Sequence, residues 1–166
     1  MPLYDVEHVT PLSADQQQSL ALAMTALHST RFNTPRAFLN VRYTDVSGQV
    51  VFRGGKRAKY NRIILRTRAG EQRSKEMYDD HCRDIIGVWE DTVGKEGELG
   101  LRTVWVMAAL TTAVECGIAR PRVGEEGKWL EDNLDNFRRL AANGDEEFVD
   151  LVQELDSRTS TLAHEK

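Results

Sequence analysis

The sequence predicts an α+β fold in which two strand–helix–strand units share one four-stranded sheet and place two helices on one of its faces. Two observations predict it. Short stretches alternate apolar and polar residues, which is the period of a strand, and longer stretches repeat apolar residues at helical spacing. The order strand, helix, strand then occurs twice. We expect one domain over 1–166, with units at about 2–53 and 62–110 and a C-terminal helical extension at about 111–156.

The first unit opens with a predicted strand over Pro2–Val9. Ser13–Gln16 then fits a capping box, in which a serine begins a helix and a glutamine three residues later bonds back to it. Asn33–Pro35 ends that helix. Leu39–Thr44 alternates apolar with polar residues and predicts the next strand, and Val50–Phe52 is predicted as a short return strand.

The second unit repeats this order. Ile63–Leu65 predicts a compact strand, and Ser74 is a candidate cap for a helix whose inner apolar stripe runs from Met77 to Val93. Leu101–Ala109 predicts a buried strand. In each unit, the strand after the helix is expected to lie parallel to the strand before it.

The remaining sequence predicts helices at Gly124–Asn133 and Asp145–Leu155, with a frayed end beyond Asp156. Helices on only one face leave the other face of the sheet in need of a partner if it is apolar. The residues expected near that face, and so at an interface, are Leu39, Val41 and Trp105. This pattern favours assembly of several copies of the chain.

Composition excludes several classes of protein. A net charge of −4 and a pI near 5.6 argue against a nucleic-acid partner, which usually requires a basic face. No apolar run reaches the ~18 residues of a membrane span, and the start of the chain does not resemble a secretory signal. Two cysteines without CxxC spacing predict neither a disulfide framework nor a zinc site, and Cys116 is expected to be a buried thiol. We expect a cytoplasmic protein.

Pro2 is the first candidate for chemistry. A small residue after the initiator methionine usually permits removal of the methionine, which would leave Pro2 as a secondary amine. An apolar pocket and neighbouring arginines would lower the pKa of that amine toward neutrality, where it could act as a proton-transfer base. The alternative is a proline that merely begins a strand.

Other side chains could hold or orient an anion. Arg66, Arg68 and Arg73 lie near the start of the second helix, where guanidinium groups could bind a carboxylate or form a solvated rim. His28 ends the first helix and could interact favourably with the helix dipole or donate a hydrogen bond to a substrate. Glu115 is a candidate general base for water, or a surface carboxylate.

Taken together, these residues resemble the tautomerase superfamily and, within it, the cis-3-chloroacrylic acid dehalogenase family. The resemblance covers Pro2 to about Asn133. It rests on the start Met1-Pro2-Leu3-Tyr4 and then, in order, on Ala26-Leu27-His28, Gln72-Arg73-Ser74, Val114-Glu115-Cys116-Gly117 and Gly124-Glu125-Glu126-Gly127-Lys128-Trp129. It implies a β-α-β fold like that of macrophage migration inhibitory factor, a homotrimer, and no metal or organic cofactor.

The resemblance also implies roles for individual residues. Pro2 would donate or accept the proton, Arg68 and Arg73 would hold the substrate carboxylate, His28 would orient it and Glu115 would prime a water molecule. The sequence departs from the family pattern at three positions. Gly70 stands where the family has its first arginine, Met107 replaces a tyrosine beside the expected water, and Ile118 replaces another arginine. Arg120 or Arg122 could substitute for the last.

These implications favour an enzyme that tautomerises a small 2-oxo, enol or unsaturated carboxylate. Hydration or dehalogenation of 3-haloacrylates is expected as a secondary, weak activity because Met107 lacks the phenol. The competing hypothesis is a non-catalytic or signalling protein that keeps the fold. A retained Met1 would favour it, because an amide at the Pro2 nitrogen is not basic.

Overall fold

A computed structural model of the chain describes residues 1–70, 73–108 and 112–164, with side chains as far as Arg158. The strands are β1 (Leu3–His8), β2 (Asn40–Asp45), β3 (Val51–Arg53), β4 (Lys56–Ala58), β5 (Asn61–Arg66), β6 (Leu101–Met107), β7 (Val114–Glu115) and β8 (Ile118–Ala119). The α-helices are α1 (Ala14–Phe32), α2 (Lys75–Thr92), α3 (Glu126–Asp132), α4 (Leu134–Ala142) and α5 (Glu146–His164). Short 3₁₀ turns lie at Arg36–Phe38 and Gly97–Leu99.

The main sheet has the strand order β2-β1-β5-β6. β1 pairs parallel to β2, β5 pairs parallel to β6, and the two units meet where β1 and β5 run antiparallel. The predicted α+β architecture, with a parallel strand after each helix, is therefore confirmed.

The ends of the two long helices follow the sequence signals. Ser13 forms the predicted capping box with Gln16, and Asn33 closes α1 in the left-handed conformation that asparagine tolerates. Ser74 caps α2 by accepting a hydrogen bond from the backbone N–H of Met77. These caps satisfy backbone groups that a helix end would otherwise leave unpaired.

The main core lies between α1, α2 and one face of the sheet. The strands contribute Tyr4, Val6, Ile63 and Leu65, and the helices contribute Leu20, Met24, Ile85 and Trp89, all fully or almost fully buried. Burying each large apolar side chain stabilises the fold by about 1.5–3 kcal/mol. The same packing fixes the start of β1, because Tyr4 cannot leave the core.

The opposite face of the sheet carries ion pairs. The buried carboxylate of Asp5 bridges Arg42 and Arg66, at 2.5 and 2.9 Å, and Glu7 pairs with Arg62. The guanidinium of Arg62 lies 4.4 Å from the ring centroid of Trp105, which is 43% exposed. Trp105 is thus on the uncovered face, as predicted.

Two of the residues expected near that face lie elsewhere. Leu39 and Val41 pack against the main core on the helix side. Alternation explains the error for Val41, since it pairs with Tyr4 in the β1–β2 register and its side chain points to the same face.

The short strand predicted at Val50–Phe52 is present as β3, and it pairs with β4 through a tight hairpin turn in which Gly54 and Gly55 adopt positive φ values. Other local features differ from the predictions. Helix α4 and the β7–β8 hairpin were not predicted. Helix α5 continues to His164 instead of fraying after Asp156. The predicted strand end at Ala109 lies outside the described residues.

A second apolar cluster joins the C-terminal helices to the 3₁₀ turn that precedes β2. Phe137 from α4 and Phe148 and Leu151 from α5 bury themselves around Phe38. This cluster anchors the tail beside the first residues of β1. No helix in the described part of the chain is long and apolar enough to cross a membrane.

Candidate active site

Pro2 borders an open cavity of about 490 Å³ between the start of β1 and helix α3. Pro2 is buried, and its carbonyl accepts a hydrogen bond of 3.1 Å from the backbone N–H of Asn40. The polar lining consists chiefly of Arg68, Arg73, Arg120 and Glu126, while Phe38 and Trp129 supply apolar walls. A cavity rich in arginine is suited to an anionic ligand.

Arg68 and Arg73 enter the cavity from the segment between β5 and α2. Arg68 donates to the carbonyl of Pro121, and Arg73 stacks its guanidinium 5.0 Å from the ring of Phe32. The Arg68 carbonyl accepts a hydrogen bond of 3.0 Å from the hydroxyl of Tyr78. The structure thus brings both predicted carboxylate-binding residues together beside Pro2. Glu71 and Gln72, between them in the predicted shifted loop, lie outside the described residues.

The conformation at Gly70 leaves no room for a side chain there. A Cβ atom at Gly70 would lie 2.4 Å from Cγ1 of Val123, which is too close for any side chain unless Val123 moves. Arg66, the other candidate, points to the uncovered sheet face and pairs with Asp5. Arg68 is the one of the two that reaches the cavity.

Arg120 is a third cavity arginine, delivered by the β7–β8 hairpin. Cys116 and Gly117 form its two-residue turn with φ values of 49° and 78°, the positive pair typical of a type I′ turn. This places the Cys116 thiol at an exposed tip, so the prediction of a buried thiol was wrong. The returning strand brings Arg120 back to Glu115, with which it forms an ion pair.

Aromatic rings hold Arg120 in place. Its guanidinium lies 3.9 Å from the ring centroid of Phe38 and 4.9 Å from that of Trp129. Burial and the neighbouring charge of Arg68 lower the pKa of Arg120 to about 10, so it stays charged at neutral pH. Of the two substitutes that sequence suggested for the arginine missing at Ile118, Arg120 occupies the cavity and Arg122 does not line it.

The N-terminal amine responds to this surrounding charge. Burial, then Arg120 and Arg68, lower the pKa of the Met1 amine from 8.0 to about 6. The Met1 sulfur also accepts a hydrogen bond of 3.3 Å from Arg120. The Met1 amine is therefore largely neutral, and able to accept a proton, at pH 7.

His28 lies behind the cavity in a fully buried polar cluster. Its Nδ1 and the Nε2 of His81 each lie 2.7 Å from the hydroxyl oxygen of Tyr4, and all three side chains are completely buried. The single hydroxyl proton of Tyr4 can be donated to only one ring, so the other ring must donate to Tyr4. His28 Nε2 and His81 Nδ1 have no hydrogen-bond partner within the described part of the chain.

This cluster is electrically neutral at pH 7. Burial is the largest cause that lowers the pKa of His28 to about 3 and that of His81 to about 4, and burial also raises the pKa of Tyr4 well above 10.0. The charges of Arg73 and the N-terminus contribute to the shift at His28. His28 is thus a neutral hydrogen-bonding group within electrostatic reach of the cavity, although it does not line it.

The other two predicted site residues lie outside the cavity lining. Glu115 is paired with Arg120 and sits behind it, between Phe38 and helix α5. Met107 ends β6 opposite Arg66, on the uncovered face, and is 41% exposed. The Met107 side chain does not line the cavity of its own chain.

Sequence reasoning missed the roles of several residues that shape the site. In the sequence, Glu126 and Trp129 carry a signal only as part of the segment Gly124–Trp129 that resembles the family. Tyr4 and His81 carry no local signal, because their meeting depends on the pairing of β1 with helices distant in sequence. Among the described residues, no three His, Cys, Asp or Glu side chains lie close enough to hold a metal ion.

The sequence matches a known protein family. Residues 1–134 match the model of the Tautomerase_3 family, described as "Putative oxalocrotonate tautomerase enzyme". No functionally curated protein matches the sequence significantly.

Solved structures share the fold. N1, a member of the cis-3-chloroacrylic acid dehalogenase (cis-CaaD) family, superposes with a TM-score of 0.66 at 22% identity, covering 90% of this chain and 99% of N1. RhCC from Rhodococcus jostii RHA1 gives a TM-score of 0.60 at 17% identity, covering 79% of this chain and 96% of RhCC. A fused 4-OT that forms an asymmetric trimer gives 0.57 at 12% identity, covering 70% and 94%.

Proposed function

Because the chain belongs to the Tautomerase_3 family, we propose that it is an enzyme that uses the secondary amine of Pro2 to transfer protons on a small 2-oxo, enol or unsaturated carboxylate. The observation that carries this proposal is the position of Pro2 in a cavity beside three guanidinium groups. The reaction requires removal of Met1, which frees the Pro2 nitrogen.

The Pro2 amine would be a base at neutral pH. The causes that lower the pKa of the Met1 amine, namely burial and the charges of Arg120 and Arg68, would act in the same direction on a Pro2 amine one residue along. A neutral secondary amine accepts a proton, and its conjugate ammonium can return that proton to another atom of the same substrate.

Arg68 and Arg73 are suited to orient the substrate. Their Nη2 atoms both point toward one position, now occupied by an oxygen of Glu126. A substrate carboxylate there would be fixed by charge-assisted hydrogen bonds with Pro2 nearby. Holding the substrate and the Pro2 nitrogen in a fixed relative position removes part of the entropic barrier to proton transfer.

The tautomerisation then needs two proton movements. For an enol, the nitrogen of Pro2 takes the hydroxyl proton and the C–O bond becomes a carbonyl. The Pro2 ammonium then gives the proton to the carbon of the former C=C bond that does not carry the oxygen. Charge builds on the enol oxygen during the first movement. Arg120, charged and mostly buried, is suited to stabilise that oxygen.

His28 and Glu115 have supporting roles in this proposal. Neutral His28 could orient the substrate only through Nε2, since Nδ1 is engaged by Tyr4. Glu115 is our candidate base for hydration or dehalogenation of a 3-haloacrylate. Its carboxylate is already paired with Arg120 and would have to give up part of that ion pair to take a proton from water. We therefore propose the water-dependent reaction as the weaker activity.

We further propose a cytoplasmic homotrimer. Support comes from the fused 4-OT trimers with the same fold and from the uncovered sheet face, where Trp105 and Met107 are exposed. The two free cysteines agree with a reducing compartment. Light scattering at micromolar concentration should give three times the mass of the chain, and a stable monomer would contradict the trimer.

The competing function is a non-catalytic protein in which Met1 is retained. One observation favours it: the Met1 side chain contacts Arg120 and packs against the second apolar cluster. Intact mass of the native protein separates the two, because the enzyme requires a mass that lacks methionine.

Substitution of Pro2 tests the enzyme directly. Pro2→Ala should lower turnover of enolised 2-oxo acids by about 100-fold or more, the usual scale for a general acid–base group. Circular dichroism should be unchanged, because Pro2 contributes only one backbone hydrogen bond through its carbonyl, which alanine keeps. Equal turnover by both proteins would end the proposal.

A further inference from the structure

Glu126 places a carboxylate of the protein itself between the two carboxylate-binding arginines. Its Oε1 lies 3.1 Å from Nη2 of Arg68 and 3.7 Å from Nη2 of Arg73. Both guanidinium groups are mostly buried, so they require a counter-charge when no ligand is present. Glu126 supplies it.

The arginines do not depend on Glu126 for their position. Arg68 also donates to the carbonyl of Pro121, and Arg73 is held by the ring of Phe32 and by the carbonyl of Arg68, 3.5 Å from its Nη1. Removing the charge of Glu126 would therefore leave two arginines in place with an unmet demand for an anion.

Glu126 itself is held from its own side. Its Oε2 accepts a hydrogen bond of 2.6 Å from the backbone N–H of Gly124, two residues earlier. Oε1 can leave the arginines while Oε2 keeps this bond. Displacement by a ligand thus costs contacts with the arginines only, and the displaced carboxylate stays beside the ligand.

The charges of the site determine which ligand fits. Among the described residues, Arg68, Arg73 and Arg120 face Glu126 and Glu115, so three positive groups meet two negative ones. With Pro2 neutral, one positive charge remains. This balance matches one carboxylate, and a second would meet the displaced Glu126 without a free cation.

We propose that Glu126 is a specificity-determining residue: it occupies the carboxylate subsite until the substrate displaces it, and it restricts the enzyme to monoanionic substrates. The inference rests on the proposed function for the identity of the subsite and for the neutral state of Pro2. It predicts that Glu126→Gln binds carboxylates more tightly, and dicarboxylates most of all.

Calorimetry with two unreactive ligands, propionate and malonate, tests this at pH 8 in a chloride-free buffer. We expect Glu126→Gln to bind propionate about three times and malonate about ten times more tightly than wild type. Glu125→Gln is the matched control, because Glu125 contacts the backbone N–H of Arg122 and none of the cavity arginines. Its affinities should equal those of wild type.

Three outcomes would overturn the inference: equal or weaker binding by Glu126→Gln, equal gains for both ligands, or the same gain in Glu125→Gln. Thermal melting of each variant establishes that the protein is folded. Failure of the proposed function is read separately, from Pro2→Ala. If that variant keeps full turnover while Glu126→Gln still gains malonate affinity, the enzyme proposal falls and the role of Glu126 stands.

Discussion

Two groups of ionisable side chains lie side by side at the start of β1. One group is charged and the other is neutral. Pro2 opens onto a cavity where arginines keep their charge and are matched by Glu126 and Glu115. Two residues after Pro2, Tyr4 forms hydrogen bonds with His28 and His81, and this buried cluster is neutral.

The difference comes from access to counter-charges. The cavity is open enough for carboxylates on α3 and the β7–β8 hairpin to reach the arginines, so ion pairs offset desolvation. The cluster of Tyr4, His28 and His81 lies fully inside the core, where a charge would have no partner. A charged cavity and a neutral buried cluster can therefore lie next to each other at the start of β1.

The largest expected effect concerns pH and the neutral cluster. The folded pKa values of His28 and His81, about 3 and about 4, lie below the unfolded value of 6.5. Below pH 6.5 the unfolded chain therefore takes up protons that the folded chain refuses, so stability is fully present above that pH and falls as pH falls. Between pH 6.5 and 5 the loss should be about 2 kcal/mol for each histidine.

Urea unfolding at pH 7, 6 and 5 measures this loss. His81→Gln should remove about half of it, because glutamine can bond to Tyr4 but does not titrate in this range. If the unfolding free energy of that variant depends on pH as steeply as that of wild type, His81 is not held neutral by burial.

The next effect concerns the charged cavity. Arg73→Ala should lower kcat/KM about 100-fold, mainly through KM, since it removes a charge-assisted contact worth about 2–3 kcal/mol. Arg73→Lys keeps the charge but not the planar stack on Phe32, so a smaller loss is expected. Steady-state kinetics of both variants checks this prediction. Equal losses of kcat/KM in the two variants would contradict it, because the charge that lysine keeps would then contribute nothing.

A smaller effect is expected for Tyr4→Phe. This change leaves His28 and His81 without their shared partner and should cost about 1–3 kcal/mol of unfolding free energy. Denaturant unfolding measures it. If catalysis falls while stability does not, the cluster belongs to the chemistry of the site rather than to its support.

The smallest effect concerns Met107. Met107→Tyr should raise 3-haloacrylate hydrolysis modestly relative to tautomerisation, by up to about tenfold, because a phenol can donate to water and a thioether cannot. Paired rate assays on the two substrates check it. A wild type that dehalogenates faster than it tautomerises would contradict this prediction, and so would equal losses of both rates in the variant.

The sequence predicted the fold and part of the cavity because those features rest on local signals. The capping box at Ser13, the strand periodicity and the arginines flanking α2 can all be recognised within a few residues. Arg120 could be offered only as an alternative to Arg122, and Glu126 had no individual signal. Their roles depend on a tight turn at Cys116 and on how α3 packs against the segment after β5, which no short pattern encodes.

Because Arg120 contacts Phe38, the C-terminal tail affects the position of a cavity residue. The family match stops at residue 134, yet α4 and α5 beyond it hold the ring on which Arg120 rests. Replacing Phe148 or Leu151 would shift that ring without touching any ligand. A substitution in the tail would therefore move a cavity arginine without altering any residue that lines the cavity.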